Sequence, residues 1–282
     1  MPLVHPTDVI PQAARAGTGV GAFNVIQLEL AEAIVGGAEQ AGLPVILQIS
    51  ENCVRYHGAL APIATACQAI ASASAVPVVV HLDHAEDVAL VREALDLGFT
   101  SIMYDGSRLD DAANVATTIS TAAMCHERGA WVEAEFGEIG GKDGVHAPGA
   151  RTNVGQAVDF VAKTGVDSLA VAVGSSHAMT QRTATLDFDL IARLHEALPV
   201  PLVLHGSSGV PDADLARAVR AGMTKINIAT LLNTVFTGSV RETLAADASM
   251  VDTRKYFKPA RAAVADVVAG LLRLLAQPGG VA

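Results

Sequence analysis

Three histidines stand where apolar runs end. His84 follows Val-Val-Val-His-Leu-Asp, His177 follows Ala-Val-Ala-Val-Gly-Ser-Ser, and His205 follows Pro-Leu-Val-Leu. If these runs are parallel strands of one barrel, their C-terminal ends open on the same rim and the imidazoles converge from distant parts of the chain. Neutral imidazole suits zinc. Three such ligands without a fourth from the protein describe an open, catalytic site rather than a closed structural one. Asp83 sets a carboxylate directly beside the first histidine. In a regular strand Leu82 and His84 point one way and His81 and Asp83 the other. A twist at the strand end would bring Asp83 and His84 to the mouth together, with His81 left as a core or wall residue. Asp105 and Glu135 end two further runs. Each suits a carboxylate that orients a histidine, a ligand for a second divalent or monovalent cation, or a plain loop acid.

Small polar groups ring the same ends. Gly206-Ser207-Ser208-Gly209 and Asn227-Ile228-Ala229-Thr230 follow the seventh and eighth runs and lead toward helices. Loops in those positions of a barrel hold phosphate with backbone N–H groups and a helix N-terminus. Asn24 and Ser50 end the first two runs. Carbon–carbon lyases of sugars use a lysine Schiff base or a metal ion as electron sink. None of Lys142, Lys163, Lys225, Lys255 and Lys258 ends a strand, and Lys225 is expected to open strand eight at the bottom of the barrel. If the chemistry is of that kind, a metal is the expected electrophile.

The elements that must position these groups are legible as alternation. Strands are expected over residues 21–25, 44–49, 77–82, 101–104, 131–136, 168–173, 201–204 and 225–228, and most read as unbroken apolar runs, as strands buried on both faces do. Helical periods cover 29–41, 59–73, 88–97, 112–128, 155–163, 187–197, 212–221, 231–245 and 259–275. Gly42, Gly98, Gly129, Gly165 and Gly222 stand where helices should stop, and Asp187 and Asp212 where they should be capped. Eight βα units in a row predict an α/β fold, a (β/α)8 TIM barrel, over a doubly wound open sheet. Without a Pro/Ser-rich linker or charge block, residues 1–282 are expected to be one domain. The Gly-rich stretch 137–152, after strand five, is the longest without a pattern.

Apolar residues make up 51% of the chain, enough for a large core without staples. With 19 basic against 29 acidic residues and a net charge of -10, a nucleic-acid surface is not expected, whereas one phosphate held by backbone groups is compatible. Cys53, Cys67 and Cys125 show no C-x-x-C pairing, so a reducing cytoplasm is the expected compartment. Neither a signal peptide nor a spanning segment is expected.

From Phe23-Asn24-Val25 to about Asp266 the chain resembles the class II, metal-dependent ketose-bisphosphate aldolases, most closely the tagatose-bisphosphate branch. The motifs are His81-Leu82-Asp83-His84, Val132-Glu133-Ala134-Glu135-Phe136-Gly137, Ser168-Leu169-Ala170-Val171-Ala172-Val173-Gly174, Leu204-His205-Gly206-Ser207-Ser208-Gly209 and Lys225-Ile226-Asn227-Ile228-Ala229-Thr230. The resemblance implies that His84, His177 and His205 bind zinc and that Asp83 exchanges a proton with the C4 hydroxyl of a phosphorylated ketose. Gly174, Gly206, Ser207, Ser208, Asn227, Ile228, Ala229 and Thr230 would hold dihydroxyacetone phosphate. Asp105 and Glu135 match positions that take a second divalent ion in some members. The metal's charge would stabilise the enediolate left when the C3–C4 bond breaks. A homodimer or homotetramer is the assembly the resemblance implies.

Four departures qualify it. Ala229 replaces the Asp of the fructose branch and is similar to the tagatose branch. Asn233 stands where members often carry Arg or Lys for the distal phosphate, with Arg254 and Arg261 as candidate replacements. Ala178 replaces the glycine after the second zinc histidine. The loop Gly140-Gly141-Lys142-Asp143-Gly144 offers Asp143 where the family has a Glu base, with Glu138 as the other candidate. Two alternatives follow. One is an aldolase of an inositol or deoxysugar route acting on a ketose monophosphate. The other is a sugar-phosphate-binding subunit without catalysis.

Overall fold

The apolar runs pair as parallel strands: β1 Val20–Asn24, β2 Val45–Ser50, β3 Val78–Ala85, β4 Ser101–Tyr104, β5 Trp131–Phe136, β6 Ser168–Val171, β7 Leu202–Leu204 and β8 Met223–Ile228. They follow chain order around a closed barrel. The open-sheet alternative fails at the closure: β1 pairs with β8 from Val20↔Lys225 to Phe23↔Ile228. These are features of a computed structural model, which describes residues 2–136 and 151–277. No helix among the described residues is long and apolar enough to cross a membrane.

The helices are α1 Ile10–Ala16, α2 Leu28–Ala41, α3 Glu51–His57, α4 Ala61–Ala73, α5 Val88–Asp96, α6 Asp111–Glu127, α7 Val154–Thr164, α8 Phe188–Ala197, α9 Asp212–Arg220, α10 Thr230–Ala246 and α11 Thr253–Leu275. Those packed on the barrel bury a stripe, as α8 does with Leu190, Ile191 and Leu194. All five expected stop glycines have positive φ. Asp187 caps α8, its carboxylate accepting from Leu190 N at 2.9 Å. Asp212 does not cap; it is the first residue of α9, Pro211 is the cap, and its carboxylate pairs with Arg182 at 2.6 Å.

Several boundaries differ for identifiable reasons. Strand β6 stops two residues early because Ala172 N leaves the ladder for Thr152 Oγ1, at 2.8 Å. Helix α3 was not expected; Ser50 caps it by accepting from Cys53 N at 3.2 Å, so the helix expected over 59–73 begins only at Ala61. Helix α11 starts at Thr253, capped by Asp252, six residues before the Pro259 that marked its expected start. Helix α1 was also not expected. Its Ile10 and Ala13, with Val9 just before it, pack on Val20, Ala22, Ile46, Val79 and Trp131, which seal the lower end of the barrel. Cys53, Cys67 and Cys125 are buried and unpaired.

Above that apolar floor the interior turns polar. Gln48, His81, Glu133 and Lys225 are all at most 1% exposed. Lys225 does not open strand eight, as expected, but is its third residue. The β7–β8 register slips between Leu202↔Met223 and Val203↔Lys225, giving β8 one extra residue. The lysine thereby joins the face that carries Asn227.

Candidate active site

Strand β3 solves the geometric problem posed by Asp83 and His84. The β3–β4 ladder runs from Leu82↔Ile102 to Ala85↔Tyr104, three steps on one strand against two on the other. The extra residue is a bulge, and His84 sits at φ 48, in the left-handed region. Period-two alternation is broken there, and consecutive side chains both line the mouth. A non-glycine residue in that region costs about 1–3 kcal/mol, which the surrounding barrel must offset.

His177 and His205 meet His84 at this rim. Ring centroids are 5.1 Å apart for His84–His177, 4.6 Å for His84–His205 and 5.8 Å for His177–His205. One ligand atom from each, together with one from Glu135, fall within 4.8 Å of one another. Glu135, expected to orient a histidine, to hold a second cation or to be a plain loop acid, thus stands in reach as a fourth donor beside the three imidazoles. Asp105 is outside this group. Its Oδ2 lies 2.7 Å from His84 Nδ1, and its Oδ1 accepts from Ser107 Oγ at 2.6 Å. Glu133 Oε1 takes His205 Nε2 at 3.1 Å, so His205 Nδ1 is the nitrogen left toward Glu135 Oε2, at 3.3 Å. His205 Nδ1 is buried with no hydrogen bond among the described residues. Imidazole nitrogens and a carboxylate, converging with one buried lone pair uncommitted, fit a zinc-type divalent ion.

Asp83 is held beside this group and not within it. Its Oδ2 accepts from Asn24 Nδ2 at 2.8 Å, Gln48 Nε2 donates to Asn24 Oδ1 at 3.2 Å, and Asp83 Oδ1 has no hydrogen-bond partner among the described residues. Burial would raise the Asp83 pKa, but His84, Lys225, His205 and His81 outweigh it and hold the carboxyl below its ordinary range. Burial likewise opposes charge on His84. The Asp83 charge and the Asp105 hydrogen bond overcome that and raise it to about 9.

The chain is similar to known proteins along nearly its whole length. Residues 4–279 match the family model described as fructose-bisphosphate aldolase class-II. The chain belongs to the class-II fructose-bisphosphate aldolase family. The Bacillus subtilis (strain 168) protein named "Probable fructose-bisphosphate aldolase" is 38% identical over 277 residues, 97% of each chain. The fructose-bisphosphate aldolase of Geobacillus stearothermophilus is 36% identical over 286 residues, 100% of each. Among solved structures, the YdjI aldolase from Escherichia coli K12 superposes with a TM-score of 0.85 at 29% identity, covering 99% of this chain and 100% of that one. The chain is therefore a class II aldolase, a carbon–carbon lyase of a metal-dependent family that acts on phosphorylated sugars. Both sequence relatives carry the fructose-bisphosphate name, and neither shows the tagatose branch expected from the sequence.

The mouth of this aldolase is a cavity of about 170 Å³. Asn24, Ser50, Gly206, Ser208, Asn227, Ala229 and Thr230 line it, with Asp83, His84 and His177. Three other expected substrate contacts do not. Ser207 turns its hydroxyl back to Leu204 O at 3.0 Å, Ile228 is buried in the core, and Gly174 sits against the Thr185 carbonyl and the Arg151 guanidinium. The first turn of α10 is already met from the neighbouring loop: Ala229 N and Leu231 N both donate to Ser208 Oγ at 3.2 Å. Asn52 and Ser176 also line the cavity and were not singled out from sequence. Asn52 belongs to the unexpected α3, which explains the omission. Asp143 and Glu138 lie outside the described residues. Arg254 pairs with Asp252 at 3.0 Å and Arg261 with Glu32 at 2.9 Å, and neither lines the cavity.

Gly206 is the residue on which the turn after β7 depends. Its φ is 67, and a Cβ there would fall 2.6 Å from the Ser176 carbonyl carbon and oxygen. Gly206→Ala is expected to cost about 1–3 kcal/mol from backbone strain alone and to raise KM for a phosphorylated ketose, because the turn carries Ser208 with it. Thermal unfolding and steady-state kinetics check both parts; unchanged KM would remove the loop's role.

Proposed function

We propose that this chain is a zinc-dependent aldolase that reversibly cleaves a ketose phosphate into dihydroxyacetone phosphate and an aldehyde. The observation that carries the proposal is Asp83, a carboxylate fixed by Asn24 with one oxygen uncommitted, beside three converging imidazoles. His84, His177 and His205 would hold the zinc, with Glu135 within reach and Asp105 orienting His84. When bound, the ion supplies Lewis-acid stabilisation of the charge that develops on bond scission. Asp83 takes the proton of the C4 hydroxyl in cleavage and returns it in condensation. Gly206, Ser208, Asn227, Ala229 and Thr230, which line the mouth, bind the phosphate and triose hydroxyls through short polar side chains and the backbone amides not already given to Ser208. The whole chain would act as one catalytic domain, as a cytoplasmic homodimer or homotetramer.

The aldehyde half has a second reading. Among the described residues no lysine or arginine lines the mouth, and Asn233 adds no charge there. That favours a ketose with a single phosphate over a bisphosphate. Zinc-loaded protein offered a panel of ketose mono- and bisphosphates, with dihydroxyacetone phosphate detected by a coupled assay, tests both. Turnover is expected only with metal, and faster with monophosphates under the second reading. No release from any ketose phosphate would end the proposal, while cleavage of bisphosphates alone would end the second reading only.

A further inference from the structure

A continuous line of buried polar groups runs beneath the rim. His81 Nδ1 lies 2.7 Å from Ser101 Oγ, and His81 Nε2 lies 3.3 Å from Lys225 Nζ. Lys225 Nζ donates to Glu133 Oε2 at 2.8 Å, and Glu133 Oε1 meets His205 Nε2 at 3.1 Å. The side chains of Lys225, Glu133 and His205 are all 0% exposed. Packing alone does not call for such a pair, because apolar residues of similar volume often replace a buried ion pair without loss of stability.

We propose that Glu133 is a positioning residue that locks His205 as an Nδ1 donor to the metal, with Lys225 locking Glu133. An ammonium only donates, so His81 Nε2 accepts and its Nδ1–H goes to Ser101. An ionised carboxylate only accepts, so His205 carries its hydrogen on Nε2 and its lone pair on Nδ1, the atom 3.3 Å from Glu135 Oε2. His84 is held the opposite way, with Nδ1 on Asp105. Carboxylates from two neighbouring strands thus set two histidines in opposite tautomers, and only then do both lone pairs face one point.

The inference rests on the rim being a metal site, and Co²⁺ binding by the parent chain tests that reading separately. The full-length double variant E133M/K225M removes the acceptor and the charge that holds it. It is expected to bind Co²⁺ about 10–100-fold more weakly and to shift the visible absorption of the bound ion. E133Q/K225M restores an acceptor for His205 and is expected to recover most of the affinity and the parental spectrum. Parental binding by both variants, or equal loss in both, overturns the inference. A parent chain that itself fails to bind Co²⁺ overturns the metal reading and the inference with it. If E133M/K225M does not fold, ¹⁵N-imidazole NMR of the metal-free parent decides. Hydrogen on His205 Nε2 supports the lock, and hydrogen on Nδ1 refutes it.

Discussion

Asp83→Ala is expected to lower turnover by about 10²–10⁴, the range of a positioned general acid–base, while metal content stays at the parental level. That loss equals about 3–5 kcal/mol of transition-state stabilisation. The separation of the two effects follows from the geometry. Asp83 is bound to Asn24 and is not a member of the donor group formed by His84, Glu135, His177 and His205. Its pKa lies below the ordinary carboxylate range, so it is ionised at neutral pH and able to accept a proton. Metal analysis beside steady-state kinetics checks the prediction. Parental cleavage rates in the variant would remove Asp83 from the chemistry, and metal lost along with activity would make it a ligand.

His177→Ala is expected to lose metal and activity together, and a chelator to do the same to the parent chain reversibly. The fold should survive both. The floor of Val20, Ala22, Ile46, Val79 and Trp131, and the helices around it, are packed without reference to the rim. Far-UV circular dichroism should therefore not change when turnover is abolished, unlike a structural zinc domain, which unfolds without its ion. The pH dependence has a definite sign. In the metal-free chain His84 stays protonated up to about 9, and a metal ligand must be deprotonated. Uptake at neutral pH thus displaces a proton, and affinity should rise with pH until about 9. Affinity that is flat between pH 6.5 and 8.5 would contradict the assignment of His84.

The barrel was legible because eight apolar runs alternate with helical periods and glycine stops; β4 and β5 fall on their expected residues. Features set by single hydrogen bonds were not. Thr152 ends β6 from 20 residues away in sequence, and Ser50 starts α3 by capping Cys53. At the site, the residue types at the strand ends were visible, and their convergence followed from the fold. The roles of Lys225 and Glu133 were not visible. A bulge in β8 turns the lysine inward, and no periodicity reports an inserted residue. The acid of the 137–150 loop falls outside the described residues.

The irregularity in β3 separates closing the barrel from equipping it. Deleting one residue between Leu82 and Ala85 would leave an apolar strand able to bridge its neighbours, yet one of the two adjacent reactive groups would be turned out among the surrounding helices. Such a protein would be a sound vessel with an inert lip. Searches for this chemistry in other barrels should therefore look for the misfit in strand count and not only for the residues it presents.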